Sequence, residues 1–313
     1  MKLLLLIGSC LLATSQASEW DYNAEGDNGP ADWGKRFPKC NDTASSSRQS
    51  PINIVVDNTK YNASLPTPEF INYDVAHATS NLIISNNGHT VVVTPKYASS
   101  DSKAQIKYKG KTYELVQFHF HWGSDSKRGS EHTIDGKHFQ VEVHFVHYNT
   151  DDFNNFNEAK TEEGGLLVYA QFLKSFASSA NAGYQEIVPQ FEKVKYKGNT
   201  TTIPHFKFDT LLSKVPDRIY SYPGSLTTPT CDESVSWIVN SQTVEISQDQ
   251  MSKFLELKSN KGETNEDLVN NYRPVQKLQQ RTVETNVPGS GVTITSSFSM
   301  MLMTVLPIAY AFF

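Results

Sequence analysis

The fold is decided by the segment QFHFHW at residues 117–122, together with the segment EVHFVH at residues 142–147. Both segments are rich in aromatic and β-branched residues, which favour β-strands. Side chains two residues apart lie on the same face of a strand, so His119 and His121 share one face of the first segment. If the two strands are neighbours, His144 joins them and the imidazoles converge on one point.

Three histidines without a fourth protein ligand form the donor set of a catalytic zinc site, in which one coordination position stays open for water. Gln117 and Glu142 each precede a histidine by two residues and therefore share its face. A ligating histidine usually donates its second ring N–H to such an oxygen atom. Aromatic packing is the more common explanation of an isolated His-x-His pair, but these two neighbours favour one Zn²⁺ per chain.

The composition limits the classes of function. The chain has 313 residues with a formal net charge of −5 at pH 7, and its isoelectric point is near 6.0. This acidic balance and the lack of basic runs argue against nucleic acid as a partner. With 17 Phe and 14 Tyr the chain can bury a large core, and we expect a single catalytic domain over residues 18–283.

The first residues predict export from the cell. Met1 and Lys2 precede an apolar run, and the small residues Ser15 and Ala17 follow it, which is the pattern of a secretory signal peptide over residues 1–17. The run is shorter than the ~20 residues that span a bilayer. A buried N-terminal helix is the alternative, but we expect cleavage after Ala17 and passage through the secretory pathway.

The cysteines and sequons fit an oxidising compartment. Once Cys10 leaves with the signal peptide, Cys40 and Cys231 remain as an even pair, and we expect them to form a disulfide. Two unrelated buried thiols are the alternative. Three N-glycosylation sequons lie in polar, turn-rich stretches, at Asn41, Asn62 and Asn199.

The C-terminal end carries the pattern of a glycosylphosphatidylinositol anchor. Residues 284–291 are predicted to form a short stalk with the candidate lipid-attachment site Ser290, and residues 292–313 a hydrophobic propeptide that is removed. The tail is short for a membrane span, and no Lys or Arg follows it. We therefore expect the protein on the outer leaflet, at the extracellular face of the plasma membrane. A tail anchor and free secretion are the alternatives.

The middle of the chain alternates short apolar runs with turn signals, which predicts a mostly β (α+β) fold with a mainly antiparallel sheet and short peripheral helices. Hairpin turns are expected at residues 86–88 and 109–111. The strand candidates are residues 81–84, 90–93, 105–108, 139–148, 166–172 and 237–239. The helix candidates are residues 154–163, 182–194, 209–212 and 248–257, and the last follows a capping sequence.

Eight short segments together resemble the α-class carbonic anhydrases, specifically their secreted or membrane-anchored branch, between about Trp20 and Val283. In chain order they are NGP at 28–30, QSPINI at 49–54, NNGH at 86–89, QFHFHWG at 117–123, GSEHT at 129–133, EVH at 142–144, YPGSLTTP at 222–229 and YRP at 272–274. The resemblance implies a large twisted sheet of about ten strands, with zinc at the base of a conical cavity. It also implies reversible hydration of carbon dioxide to bicarbonate and a proton, by attack of zinc-bound hydroxide.

The resemblance also implies roles for individual residues. The zinc ligands are His119, His121 and His144, with hydrogen-bond support from Gln117, Glu142 and the backbone carbonyl of Asn271. The catalytic residues are the proton shuttle His89 and the pair Thr227 and Glu131, which orient the hydroxide. The substrate-binding residues are Val146, Val168, Leu226, Thr227, Thr228 and Trp237.

Proton transfer depends on a few further positions in this resemblance. Tyr22 and Asn87 match polar groups that hold a water chain near His89. Val92 is a departure, because cytosolic relatives often carry a polar residue there. We therefore expect slower proton transfer than in the fastest members of the family.

Three other functions compete with this one. A zinc peptidase is disfavoured because the sequence has no His-Glu-x-x-His motif. An acatalytic or weakly active binding or scaffold module is the main alternative, although such relatives usually lack a ligand histidine and this sequence has all three. A mineral-binding scaffold would need acidic runs or repeats. The expected partners are carbon dioxide and bicarbonate, and the sequence does not identify a bicarbonate transporter.

Overall fold

The structure is a computed structural model that describes residues 20–125, 127–213, 218–260 and 266–288. The predicted signal peptide at residues 1–17, Ser290 and the propeptide at residues 292–313 lie outside the described residues. Within the described part of the chain, no helix has the length and apolar character needed to cross a bilayer.

A large sheet forms most of the molecule. Its strands and those of a small separate pair are β1 (Asn53–Ile54), β2 (Lys60–Tyr61), β3 (Glu69–Ile71), β4 (Asn81–Asn86), β5 (Val91–Lys96), β6 (Gln105–Tyr108), β7 (Lys111–Trp122), β8 (Thr133–Ile134), β9 (Val141–Asn149), β10 (Leu166–Ala177), β11 (Thr200–Pro204), β12 (Ile219–Gly224), β13 (Val235–Ser247) and β14 (Glu284–Thr285).

Twelve of these strands belong to one sheet, in the order β11-β4-β5-β7-β9-β10-β13-β12-β14-β2, with β3 and β6 pairing off this path. Most neighbours are antiparallel, and the parallel pairs in this sheet are β10 with β13 and β14 with β2. The predicted mostly β fold with a mainly antiparallel sheet is confirmed. The strands β1 and β8 form the separate parallel pair.

The centre of the sheet is covered on both faces. Every residue of β9 from Val141 to His147 is buried, the polar residues Glu142, His144 and His147 included, as expected for a central strand. On one face, Phe118 and Phe145 belong to the larger hydrophobic core. On the other face, Val146 belongs to a second core. Because the face of β7 and β9 that carries the polar residues is also shielded, those residues must find partners inside the protein.

The helices are short and lie outside the sheet, as predicted. They are α1 (Trp33–Arg36), α2 (Phe156–Ala159), α3 (Ala182–Gln185) and α4 (Gln248–Leu255), with 3₁₀ turns at Pro38–Cys40, Val56–Asn58, Ser100–Ser102, Val188–Glu192 and Phe208–Leu211. The helix α4 begins with the expected capping box, in which Ser247 and Gln250 bond each other's backbone N–H groups.

Two predicted helices were too long. The stretch at residues 154–163 contains only α2, because the chain turns back from Ala159 towards Gly165. The stretch at residues 182–194 is divided into α3 and a 3₁₀ turn that has proline at its second position. Proline lacks an N–H donor, so an α-helix cannot continue regularly through it.

The predicted hairpin turns are present. Lys109 and Gly110 join β6 to β7 with φ values of 48° and 76°, which is the left-handed backbone that a two-residue turn of this kind requires. Gly88 has φ of 89° in the turn between β4 and β5. This second turn carries His89 at its end.

The sheet continues past Val283, the predicted end of the domain. Glu284 and Thr285 pair with Lys60 and Tyr61 on one side and with β12 on the other. Further along, the backbone carbonyl of Pro288 accepts a hydrogen bond of 3.3 Å from Arg218 Nη2. Residues 284–288 are therefore part of the folded body.

Candidate metal centre and active site

The register between β7 and β9 brings the three histidines together. His119 lies directly opposite His144, and His121 lies opposite Glu142. One potential ligand nitrogen from each of His119, His121 and His144 lies within 4.8 Å of the others. On the other side of β7, Val92 of β5 pairs with His119.

Each imidazole uses one ring nitrogen to donate to a nearby oxygen atom, which fixes the tautomer. The three bonds are His119 Nδ1 to Gln117 Oε1 at 2.9 Å, His121 Nδ1 to the Asn271 carbonyl at 2.7 Å, and His144 Nε2 to Glu142 Oε1 at 2.7 Å. The opposite nitrogen of each ring therefore keeps its lone pair. Two of these nitrogens, His121 Nε2 and His144 Nδ1, lie 3.1 Å apart.

Burial keeps the three rings neutral. It lowers the pKa of His121 to about 3, and it also lowers the pKa values of His119 and His144. The neighbouring imidazoles lower the pKa values of His119 and His121 further, because their positive charges would repel one another. Neutral imidazole is the form that binds a metal ion.

Glu142 is an ionised carboxylate between two imidazoles. Burial raises its pKa, but His144 and His132 face it and together hold the pKa well below its usual range. Its oxygens accept from His132 Nδ1 at 2.7 Å and from the His132 backbone N–H at 2.8 Å. His132 Nε2 in turn lies 2.6 Å from the Tyr222 hydroxyl, so the carboxylate is held on both sides.

Glu131 is fully buried beside the histidine cluster. Its Oε1 accepts from the backbone N–H of Arg273 at 2.7 Å. Its Oε2 lies 3.5 Å from His121 Nε2 and 3.8 Å from His144 Nδ1. Among the described residues this oxygen accepts no hydrogen bond of ordinary geometry. A buried carboxylate oxygen and converging imidazole lone pairs fit a bound divalent cation, and an uncompensated group of this kind would otherwise be costly.

The surroundings of Glu131 change its pKa. Burial raises the pKa well above its usual value, and the negative charge of Glu142 raises it further. The N–H of Arg273 and the approaching hydroxyl of Thr227 act in the opposite direction. A dication at the cluster would favour the ionised carboxylate.

Thr227 and Thr228 lie in a loop that backbone hydrogen bonds hold closed. Thr227 is buried and Thr228 is half-buried. The loop is closed by hydrogen bonds from Leu226 N–H to the Asp232 carbonyl at 2.9 Å and from Cys231 N–H to the Thr228 carbonyl at 2.8 Å.

The predicted disulfide is confirmed. Cys40 and Cys231 are joined with an S–S distance of 2.06 Å, across 191 residues of sequence. Because Cys231 is bonded to the carbonyl of Thr228, the disulfide ties the threonine loop to the N-terminal part of the domain.

An apolar wall lies beside the histidines. Val146 of β9 is opposite Val168 of β10, and Val168 is opposite Trp237 of β13. All three side chains are buried, and half-buried Leu226 packs against the same cluster. Val146 is also opposite Gln117 on β7. The row of apolar residues therefore lies two residues along the strands from the row that contains His119 and His144.

His89 lines a cavity of about 790 Å³ together with Trp20, Tyr22 and Asn271. The ring of His89 stacks on Trp20 with centroids 3.9 Å apart. Tyr22 is half-buried, and desolvation raises its pKa well above the usual value, so its hydroxyl stays neutral. The side chain of Asn87 is used within the turn, where Oδ1 accepts from the His89 N–H at 2.8 Å.

The three sequons lie in different surroundings. Asn41 is exposed. Asn62 is half-buried, and its amide nitrogen donates to Glu284 Oε1 at 2.9 Å. Asn199 is half-buried, and its Oδ1 has no hydrogen-bond partner among the described residues.

Sequence reasoning missed two contributors to this site. Arg273 is buried and donates to the carbonyls of Ser50 and Cys40, each at 2.8 Å, while its own N–H holds Glu131. Trp20 supports the His89 ring. The motif YRP could have indicated a role for Arg273, but no local sequence pattern indicated one for Trp20.

Comparison with known proteins identifies a family. The sequence profile of eukaryotic-type carbonic anhydrases matches residues 28–287. The human (Homo sapiens) protein carbonic anhydrase 12 is 34% identical over 303 residues, which cover 96% of this chain and 81% of the human protein.

Proposed function

Because the chain belongs to the eukaryotic-type carbonic anhydrases, it is a carbonic anhydrase, and we propose that it hydrates carbon dioxide reversibly outside the cell with one Zn²⁺ held by His119, His121 and His144. The observation that carries this proposal is the set of three buried neutral imidazoles, each tied by one nitrogen to an oxygen atom. Zinc bound there would supply a water-derived nucleophile at neutral pH, because a bound dication lowers the pKa of water.

The ligand histidines are oriented before the metal arrives. The bonds from Gln117, Glu142 and the Asn271 carbonyl each hold one N–H and leave the other nitrogen free to donate its lone pair. The charge on Glu142 makes His144 a more basic ligand. His132 and Tyr222 keep that carboxylate in place.

Thr227 and Glu131 orient the attacking water. A hydroxyl can accept and donate hydrogen bonds at the same time, so Thr227 accepts a hydrogen bond from the water while it donates one to Glu131. That arrangement directs an oxygen lone pair at the substrate carbon. The support is the buried carboxyl of Glu131, whose pKa the nearby Thr227 hydroxyl lowers and whose Oε2 accepts no ordinary hydrogen bond from the described residues. Thr228 contacts the substrate from the same loop.

The apolar wall binds carbon dioxide. This substrate carries no charge and forms weak hydrogen bonds, so it gains little from polar groups and partitions to apolar surface. The wall consists of Val146, Val168, Leu226 and Trp237. It adjoins the histidines through the pairing of Val146 with Gln117, which keeps the substrate near the nucleophile.

His89 removes the product proton. Histidine titrates near neutral pH, which suits a group that must both accept and release a proton. Its place in the cavity wall, stacked on Trp20, supports this role. Tyr22 and Asn87 hold water between His89 and the metal centre. Val92 lies opposite His119 and offers this water no hydrogen bond, so proton transfer is slower than with a polar residue there.

The protein acts on the extracellular side of the plasma membrane. The disulfide between Cys40 and Cys231 supports an oxidising compartment. The signal peptide at residues 1–17, glycans at Asn41, Asn62 and Asn199, and a lipid at Ser290 complete this proposal. The catalytic domain starts at residue 18, its small-molecule partners are carbon dioxide and bicarbonate, and no bicarbonate transporter is identified.

The decisive experiment for the proposed activity is stopped-flow hydration of carbon dioxide by the purified domain. We expect rapid hydration that is lost after removal of zinc by a chelator and regained after zinc is added back. A folded, zinc-loaded protein without activity above the uncatalysed rate would leave the acatalytic binding module as the better account.

The proposed anchor is tested separately in cells. Phosphatidylinositol-specific phospholipase C should release the protein from the cell surface, and Ser290→Leu should abolish that release. Retention of the wild-type protein after phospholipase treatment would contradict the lipid anchor without affecting the proposed reaction.

A further inference from the structure

Asn271 is fully buried, and both its side chain and its backbone form hydrogen bonds to other parts of the chain. Its backbone carbonyl accepts from His121 Nδ1 at 2.7 Å. Its side-chain Oδ1 accepts from the backbone N–H of Trp122 at 2.7 Å. Its side-chain Nδ2 donates to the backbone carbonyl of His89 at 2.9 Å and to that of Phe120 at 3.1 Å. Every hydrogen-bonding group of the side chain is therefore used.

These bonds join two parts of the site that are far apart in sequence. Asn271 is 150 residues from His121 and 182 residues from His89. The backbone carbonyl of Asn271 bonds His121, a proposed metal ligand. The side-chain amide of Asn271 bonds the turn that carries His89, the proposed proton shuttle. One rigid residue thus lies between the two.

Other hydrogen bonds also hold the turn around His89. The Oδ1 of Asn87 accepts from the N–H groups of His89 and Thr90, each at 2.8 Å, but these bonds are internal to the turn. Thr90 reaches β7 by donating to the Phe120 carbonyl at 2.5 Å. The ring of His89 contacts Trp20, which belongs to the N-terminal segment. The bond from Asn271 to the His89 carbonyl therefore joins this turn directly to the residue that holds His121, and it adds to the bond between Thr90 and Phe120.

We infer that the side-chain amide of Asn271 is a positioning group for proton transfer, which holds the His89 turn at a fixed distance from the metal centre. This inference rests on the proposed function and extends it, because the backbone carbonyl alone would suffice to orient His121. A displacement of about 1 Å in a reacting group can cost ~100-fold in rate. The tether matters for the shuttle and much less for the attack on carbon dioxide.

The substitution Asn271→Asp separates these two tasks. Aspartate has nearly the same shape, keeps an oxygen for the Trp122 N–H, and keeps the backbone carbonyl for His121. It replaces the amide donor with an oxygen that faces the carbonyls of His89 and Phe120. Those three oxygens repel one another, so the His89 carbonyl loses this bond, while Thr90 keeps its bond to β7.

The neighbouring residue provides a matched control. Asn270 is exposed and lines the same cavity, and its Oδ1 accepts from the Ser124 N–H at 3.0 Å. Asn270→Asp keeps that acceptor and adds the same negative charge one residue away. It leaves the His89 turn untouched, so it corrects for the electrostatic effect of the added charge.

The first test compares zinc-loaded proteins by stopped-flow in dilute buffer. We expect Asn271→Asp to lower kcat by about tenfold while kcat/KM falls less than about threefold, since proton transfer by a positioned group contributes ~100-fold or more. Added imidazole should restore kcat, and Asn270→Asp should retain the parent kcat. Equal losses in kcat and kcat/KM would show a general structural role and overturn the inference.

A double-mutant cycle with His89→Ala tests whether Asn271 acts through the shuttle. In the His89→Ala background, Asn271→Asp should cause no further loss of kcat. A further loss of about tenfold would show that the tether acts elsewhere. If Asn271→Asp does not load zinc, the uncharged variant Asn271→Ser, which also lacks the amide donor, takes its place in the same assays.

Hydrogen exchange gives a readout that needs neither zinc nor activity. In the zinc-free chain, amides of residues 86–90 should exchange about tenfold faster in Asn271→Asp than in the parent or in Asn270→Asp. Unchanged exchange would refute the tether even if kcat fell. An inactive zinc-loaded parent would count against the proposed function, whereas the exchange result would still decide whether Asn271 holds the turn.

Discussion

His119 lies directly opposite His144 across β7 and β9. Since side chains alternate along a strand, this single pairing decides which residues reach the site. It places Gln117, His121 and Glu142 on the same face as the two histidines. A slip of one residue in either strand would turn its histidines into the opposite core. The candidate metal centre is therefore a product of strand register.

Glu142→Gln is expected to weaken zinc binding by about 10- to 100-fold, as typically found when a partner of a ligating histidine is changed. Glu142 Oε1 accepts from both His144 Nε2 and His132 Nδ1, and Oε2 accepts from the His132 backbone N–H. Glutamine has one acceptor oxygen and no charge, so its NH2 group would face one of these donors. The measurement is zinc affinity by competition with a chromogenic chelator. Glu114→Gln is the matched control, because Glu114 lies on β7 and pairs with Lys103 at 2.9 Å. Equal zinc affinity in both variants would contradict the proposed support.

Thr227→Val should lower kcat/KM for hydration by about 100-fold, the usual cost of removing a preorganised hydrogen-bonding group. Valine keeps the shape of threonine but cannot accept from the attacking water. Thr227→Ser keeps the hydroxyl and should stay within about fivefold of the parent. Zinc content measured in parallel should be unchanged. A Thr227→Val enzyme with the parent rate would exclude the orienting role.

Val168→Tyr is expected to block hydration. Val168 lies between Val146 and Trp237 in the apolar wall, so a phenol ring there fills the space next to the histidines. We expect kcat/KM to fall while the zinc stoichiometry is preserved, and Val168→Ala to retain most of the activity. Full activity in Val168→Tyr would remove this residue from the substrate pocket.

Loss of the disulfide should destabilise the folded domain. The bond between Cys40 and Cys231 closes a loop of 191 residues, for which the chain-entropy account gives about 5 kcal/mol at most. We expect the double variant Cys40→Ser/Cys231→Ser to lose about 2–5 kcal/mol of unfolding free energy in denaturant titrations. Because the bond also holds the Thr227 loop, kcat/KM should fall as well. An unchanged unfolding midpoint would contradict this role.

His147 should make the protein less stable in acid. Burial lowers its pKa to about 3 in the folded chain, whereas the pKa is ~6.5 when unfolded. Between these values the unfolded state binds the extra proton, so stability falls as the pH falls through this window. The loss from this residue is about 2 kcal/mol between pH 7 and pH 5.

The test for His147 is urea unfolding of His147→Gln and the parent at pH 7 and pH 5. Glutamine does not titrate but can still bond the Tyr73 hydroxyl, which lies 2.6 Å from His147 Nε2. Between pH 7 and pH 5, the unfolding free energy of the variant should fall by about 2 kcal/mol less than that of the parent. The same pH dependence in both proteins would mean that His147 does not titrate in this window.

The histidine cluster could be predicted from sequence because its information is local. The two-residue spacing of His119 and His121 fixes their common face, and the same holds for Glu142 and His144. The register of the two strands is not local, because it depends on an irregularity between Leu115 and Gln117. The resemblance to a family supplied that part, together with the roles of Thr227 and Glu131.

Long-range contacts and helix lengths could not be predicted in the same way. The bond from Asn271 to His89 spans 182 residues, and no periodicity encodes such a pair. The stacking of Trp20 on His89 likewise depends on how the N-terminal segment packs. The predicted helices at residues 154–163 and 182–194 failed because turns and a proline interrupt them. Tertiary packing decides these features.

Zinc stoichiometry is the most direct test of the account. Metal analysis of the folded, purified domain, combined with titration of the apo-protein, should give one zinc per chain, and His144→Ala should bind much more weakly. A well-folded domain that contains no stoichiometric zinc and takes up none on titration would contradict the central claim.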